Sequence, residues 1–202
     1  MPLATHELGS LQDQRRMTLR EFLVYDDGTE NRYELLDGVL VEMGAESTIN
    51  NWIIIFLIET FLSLGVGRRR IGIKQYIEVP SRWVTARDPD LMIHSEESVQ
   101  AIAGRSQACL ERSDPNPLLV IEVASPGAES STNYQRDYQQ KPKDYATRGI
   151  PEYWIIDPER AWVKIGTLTE EQYEFVTFQG DMPIVSPTFP KLELTAAIVL
   201  DA

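Results

Sequence analysis

The run Leu118-Leu119-Val120-Ile121-Glu122-Val123 carries a single carboxylate inside otherwise unbroken apolar sequence, and Ser125-Pro126-Gly127 ends it. A run of this kind, without polar alternation, is what a central strand covered on both faces requires. It demands packing partners on each side, so the chain should fold in layers of helix and sheet. It also places Glu122 where an unpaired carboxylate is costly. A second carboxylate, Asp90 in Arg87-Asp88-Pro89-Asp90, heads the shorter apolar run Leu91-Met92-Ile93, and Lys141 lies a short way downstream. Two carboxylates on buried strands with an ammonium nearby suggest a hard-cation site suited to phosphodiester hydrolysis.

The remaining pattern supplies the layers. Thr18 and Glu21 have capping-box spacing and predict a helix to about Tyr25. Asp37-Gly38, flanked by Arg32–Leu36 and Val39–Met43, is the strongest hairpin signal in the chain. Ser47 or Thr48 can cap a helix that ends near Gly65. That helix is apolar nearly all round, which predicts burial on most sides and a self-association surface for the rest. Ile71–Val79 reads as one strand, and residues 95–117 as a polar crossover with a helix near Glu96–Ala103. A polar helix is expected from Ser131 to Arg148, closed by Gly149, followed by a strand over Glu152–Ile156. There Tyr153 and Trp154 should alternate, one packing inside and the other toward a surface. Ala161–Leu168 and Gln172–Phe178 read as an antiparallel pair, and residues 184–200 as a short edge element and a helix. The order is that of an α/β or α+β domain, a mixed β-sheet flanked by helices.

A chain of 202 residues suffices for one full core. Residues 1–16, polar and aperiodic, read as a flexible N-terminal arm, and residues 17–202 as a single domain. The lone cysteine, Cys109, permits no intrachain disulfide and fits a cytoplasmic setting. The N-terminus has no secretory signal pattern. The most apolar stretch, Trp52–Leu64, contains Glu59 and is too short to span a bilayer, so no membrane association is expected. A net charge of −12 argues against a generic nucleic-acid binder. Arg68-Arg69-Arg70 with Lys74 is a local exception, either a solvated loop and strand edge or a phosphate-contacting patch. Ser125 lacks a nucleophile elbow, His6 and His94 are too dispersed for zinc, and there is no phosphate-binding glycine loop.

Several segments together resemble the Uma-type family of bacterial restriction endonucleases, which share the PD-(D/E)xK nuclease fold. They are Tyr33-Glu34-Leu35-Leu36-Asp37-Gly38, Asp88-Pro89-Asp90-Leu91, Val120-Ile121-Glu122-Val123-Ala124-Ser125-Pro126, Asp137 with Lys141 and Tyr145, and Gly149-Ile150-Pro151-Glu152-Tyr153-Trp154-Ile155-Ile156-Asp157-Pro158. The resemblance covers roughly residues 17–198. It implies a restriction-endonuclease-like fold and Mg²⁺- or Mn²⁺-dependent hydrolysis of DNA. By the same resemblance Asp90 and Glu122 are the metal ligands, Glu34 completes the acidic cluster, and Lys141 is the catalytic lysine. A homodimer is the expected assembly.

Two departures bear on that reading. The usual lysine position, two residues after the second acid, is occupied by Ala124, so Lys141 must reach the site from the following helix. Pro142 directly follows it, and proline inside a helix costs roughly 3 kcal/mol. Either the helix kinks there, or it restarts with Pro142 in its first turn. Lys143 is the alternative lysine, on a different helix face. Asp90 could equally be a strand-entry residue after Pro89, and Glu122 could pair with a buried cation for structural reasons. The alternative function is a non-catalytic dimeric binding or scaffold protein that retains the nuclease fold.

Overall fold

The computed structural model describes residues 15–44 and 47–202. Most of the expected N-terminal arm, residues 1–14, lies outside them. Arg16 donates to Asp37 Oδ2 at 2.8 Å and stacks over Trp83.

Helix α1 (Leu19–Leu23) starts at the Thr18 capping box, as the spacing predicts. Strands β1 (Tyr33–Leu36) and β2 (Val39–Glu42) form the expected hairpin. At its turn both Asp37 (φ 49°) and Gly38 (φ 83°) are left-handed, as a type I′ turn requires. Ser47 caps α2 (Thr48–Ser63). Only one stripe of α2 is buried, through Ile53, Leu57 and Phe61, whereas Trp52 and Ile55 are 57% and 55% exposed. The expectation of burial on most sides is corrected accordingly.

The single strand expected over Ile71–Val79 divides into β3 (Ile71–Gly72) and β4 (Tyr76–Val79). Lys74 between them adopts φ 52°, a conformation costly for a side chain of its size, and this breaks the strand. Further on come β5 (Thr85–Arg87), β6 (Leu91–Ile93), α3 (Glu96–Ile102), β7 (Cys109–Leu110) and β8 (Leu119–Val123). The chain then forms α4 (Thr132–Gln135), a π turn (Arg136–Gln140) and α5 (Lys141–Arg148) as one continuous rod. Strands β9 (Glu152–Asp157), β10 (Trp162–Thr169) and β11 (Gln172–Phe178) precede α6 (Ala196–Leu200).

The expected single sheet is two mixed sheets. One has strand order β2-β1-β5-β4-β7, the other β11-β10-β9-β8-β6-β3. The division follows from the short crossings: the β3–β4 link passes through Lys74, and the β5–β6 link is Asp88-Pro89-Asp90. Proline cannot donate to a ladder, so pairing changes sheets there.

The second sheet is covered on both faces. Leu119, Ile121 and Val123 join Ile53, Leu57 and Phe61 of α2 and Ala196 and Val199 of α6 in one core. Val120 and Ala124 join Tyr145, Tyr153 and, from the first sheet, Ile77 and Val79 in another. Tyr153 and Trp154 therefore alternate between two cores and both are fully buried, which corrects the expected surface position for one of them. Among the described residues no helix is long and apolar enough to cross a membrane.

Candidate active site

The two sheets, with the rod that carries α4 and α5, enclose a cavity of ≈ 20 Å³ lined by residues that include Asp88, Asp90, Glu122, Arg136, Asp137 and Lys141. Asp90 enters β6 from the sheet-to-sheet crossing. Its Oδ2 accepts the Val123 amide at 2.7 Å, which fixes it beside the end of β8. Glu122 lies on the β8 face that looks toward α5. Its Oε2 accepts from Lys141 Nζ and its Oε1 from the Tyr145 hydroxyl, both at 2.6 Å.

Lys141, rather than the exposed Lys143, reaches the cavity. The means is the π turn. The Lys141 amide donates to Arg136 O, five residues back, so one extra residue is wound into the rod ahead of α5. Pro142 then stands in the first turn of α5, where its missing N–H is harmless. Of the two geometries open for Pro142, restart is the one adopted. Asp137 Oδ1 lies 3.6 Å from Lys141 Nζ, and Asp137 Oδ2 accepts the Ser125 amide at 3.1 Å. Ala124, at the position where lysine is usual, is packed in the core beside Tyr145.

Glu34 sits on β1 in the other sheet, fully buried. Arg87 Nη1 donates to it at 2.8 Å and the Asp88 amide at 3.2 Å. Arg87 also binds Asp144 of α5 through Nε and Nη2, so it ties the first sheet to the helix that carries Lys141. Glu34 acts on Lys141 electrostatically. Burial opposes its charged form, but Lys141, Arg87 and the Asp88 amide outweigh burial and hold Glu34 below its ordinary value. Asp88 pairs with Arg32 through Oδ2 at 2.5 Å, while its Oδ1 is buried without a hydrogen-bond partner.

The charges are strongly coupled. Burial pushes the Glu122 carboxyl up to about 8, against the pull of Lys141, with Asp90 and Glu34 adding to the rise. Burial alone would lower Lys141, but Glu122, Glu34, Asp137 and Asp90 raise it above its ordinary value. Lys141 Nζ donates a hydrogen bond to Glu122 Oε2 at 2.6 Å, and the surrounding carboxylates favour the charged form of the amine.

Of the residues singled out in the sequence, Asp90, Glu122 and Lys141 line one cavity, while Glu34 does not line it and acts on Lys141 through charge. Sequence reasoning missed Arg87, Arg136 and Asp144 as parts of the seam. A buried Glu34 needs a cation, and Arg87 beside Asp88 is the signal that could have identified one. Among the described residues, no group of three or more His, Cys, Asp or Glu side chains is arranged to hold a metal ion by itself. The donors present are carboxylate oxygens, one of them the unpartnered Asp88 Oδ1. By donor type such a set suits Mg²⁺, which takes one or two carboxylates, while the ≈ 20 Å³ cavity has room for about one water-sized group.

A seam of carboxylates and one buried lysine thus lies between two mixed sheets flanked by helices. The family model described as "Uma2: Putative restriction endonuclease" matches residues 19–197, and the chain belongs to that family. Its fold is similar to that of "a putative nuclease belonging to DUF820" from Anabaena variabilis ATCC 29413, with a TM-score of 0.67 at 19% identity. That match covers 92% of this chain and 98% of the other. No curated protein matches the chain.

Proposed function

We propose that this chain is a divalent-metal-dependent endonuclease that hydrolyses DNA phosphodiester bonds. The observation that carries the reading is Lys141 Nζ, buried 2.6 Å from Glu122 Oε2 in a cavity that Asp90 also lines. Asp90 and Glu122 would hold Mg²⁺ or Mn²⁺. When bound, such an ion neutralises charge developing on the phosphoryl group and makes water more acidic. Lys141, held as an ammonium, donates hydrogen bonds; it orients the attacking water and does not remove its proton. Glu34 and Asp137 keep that ammonium charged, and Tyr145 fixes the Glu122 carboxyl.

The proposed assembly is a homodimer through the outward face of α2, supported by exposed Trp52 with Ile49 one turn before it. The proposed setting is the cytoplasm, consistent with Cys109 being a free thiol.

A second reading, a non-catalytic dimeric scaffold that keeps the nuclease fold, is favoured by one observation: both Glu122 oxygens already have protein donors. Mn²⁺ titration by calorimetry separates the two. The nuclease reading expects saturable binding that Asp90→Asn abolishes. No heat at millimolar Mn²⁺ with folded protein would move the assignment to the scaffold.

A further inference from the structure

A second concavity lies beside the candidate active site and shares lining residues with it. It is a groove of ≈ 220 Å³, walled by Ile54 and Ile58 of α2, with Asn51 and Lys74 along it, and it shares Arg32 and Asp90 with the catalytic cavity. Its apolar walls suit the flat face of a base, the Asn51 amide suits a base edge, and exposed Lys74 suits a phosphate, whereas Arg32 is already paired with Asp88. The volume lies below the roughly 300 Å³ at which pockets for drug-sized ligands begin, so the groove itself seats about one nucleotide unit.

Lys74 is the distinctive element. It is exposed and has no ion pair among the described residues, and it occupies the left-handed crossing between β3 and β4 at φ 52°. A long cationic side chain at a strained position is an outlier from which a function can be inferred. It stands on the groove rim in a molecule of net charge −12, where an unpaired cation beside a carboxylate-lined site gives local complementarity to an anionic strand.

We propose that this groove is the track for single-stranded DNA, seating the nucleotide next to the scissile phosphate, with Lys74 contacting that nucleotide's phosphate. The proposal rests on the nuclease reading and extends it to the form of the substrate. Catalysis on this track requires the strand to be unpaired locally, because the groove takes one unstacked base.

The test is binding of a labelled single-stranded oligothymidylate in chelator, followed by anisotropy between about 50 and 200 mM salt. Lys74→Gly relieves the left-handed backbone, so its melting temperature should equal or exceed that of the parent. It should weaken binding, and the salt slope should fall by about 0.7, the value for one lost phosphate contact on a single strand. Asn51→Trp fills the groove and should weaken binding without changing the slope. A parent slope retained in Lys74→Gly, unaltered binding by Asn51→Trp, or tighter binding of a duplex of the same length would each overturn the proposal and leave the nuclease reading standing. Failure of the parent protein to bind any oligonucleotide both in chelator and with Ca²⁺ in its place would remove the nuclease reading itself.

Discussion

Replacing Lys141 with Met removes the ammonium and leaves Glu122 buried with Tyr145 as its remaining donor. Losing one partner of a buried ion pair typically costs about 3–5 kcal/mol. Glu122, already pushed up to about 8, would protonate and so limit the loss. The expected result is a loss near the lower end of that range by denaturant melts, together with loss of cleavage. Arg87→Met is a harsher change, because it strands Glu34 and Asp144 at once. It should destabilise by at least as much as Lys141→Met; a melting curve like the parent's would contradict the role assigned to Arg87. Glu122 and Asp90 were legible because each heads or interrupts an apolar run. Arg87 was not, because a charged residue on a short strand gives no periodic signal, and its partners lie 53 and 57 positions away in sequence.

At the scale of elements, the π turn ahead of α5 is what makes Lys141 and Pro142 compatible. Deleting exposed Gln139 would remove the extra residue and restore regular α winding. That would rotate Lys141 by about 100° relative to Asp137. It would also bring the Pro142 ring against the preceding turn, at a cost of about 3 kcal/mol. The deletion should therefore lower stability, and adding Pro142→Ala in that background should restore most of it without restoring cleavage. A further test concerns the β3–β6 edge. A Cβ at Gly72 would fall 2.8 Å from both Gln75 Oε1 and His94 Nε2, so Gly72→Ala should destabilise measurably. Helix α1, the hairpin and the central strands were legible because caps, turn residues and apolar runs are local signals. The break at Lys74 and the short strands β5 and β7 were not. They are two or three residues long and exist through pairing with distant strands, which local propensity does not encode.

For the whole molecule, buried His94 should set an acid limit on stability. Its Nδ1 lies 3.0 Å from Ser98 Oγ and its Nε2 2.7 Å from Gln75 Oε1, and burial, aided by nearby Arg70, pushes its pKa down to about 4. A depressed histidine costs the folded state nothing above its unfolded value near 6.5. Stability is lost as pH falls from there toward 4, because the unfolded chain takes up the proton first. His94→Gln should flatten that part of the pH profile, measured by urea melts. The layered architecture followed from the apolar run at Leu118–Val123, whereas its division into two sheets depended on long-range pairing. That division is what matters for function: it creates the seam in which carboxylates from both sheets meet a lysine from the helix. The central claim is that this seam hydrolyses DNA with a divalent ion held by Asp90 and Glu122. The most direct measurement is cleavage of DNA substrates, single-stranded and supercoiled, by the parent protein and by Asp90→Asn, in Mg²⁺ or Mn²⁺ and in chelator. The parent should cleave with metal and not in chelator, and a folded Asp90→Asn protein should not cleave. Cleavage that persists in chelator or in the Asp90 variant would contradict it.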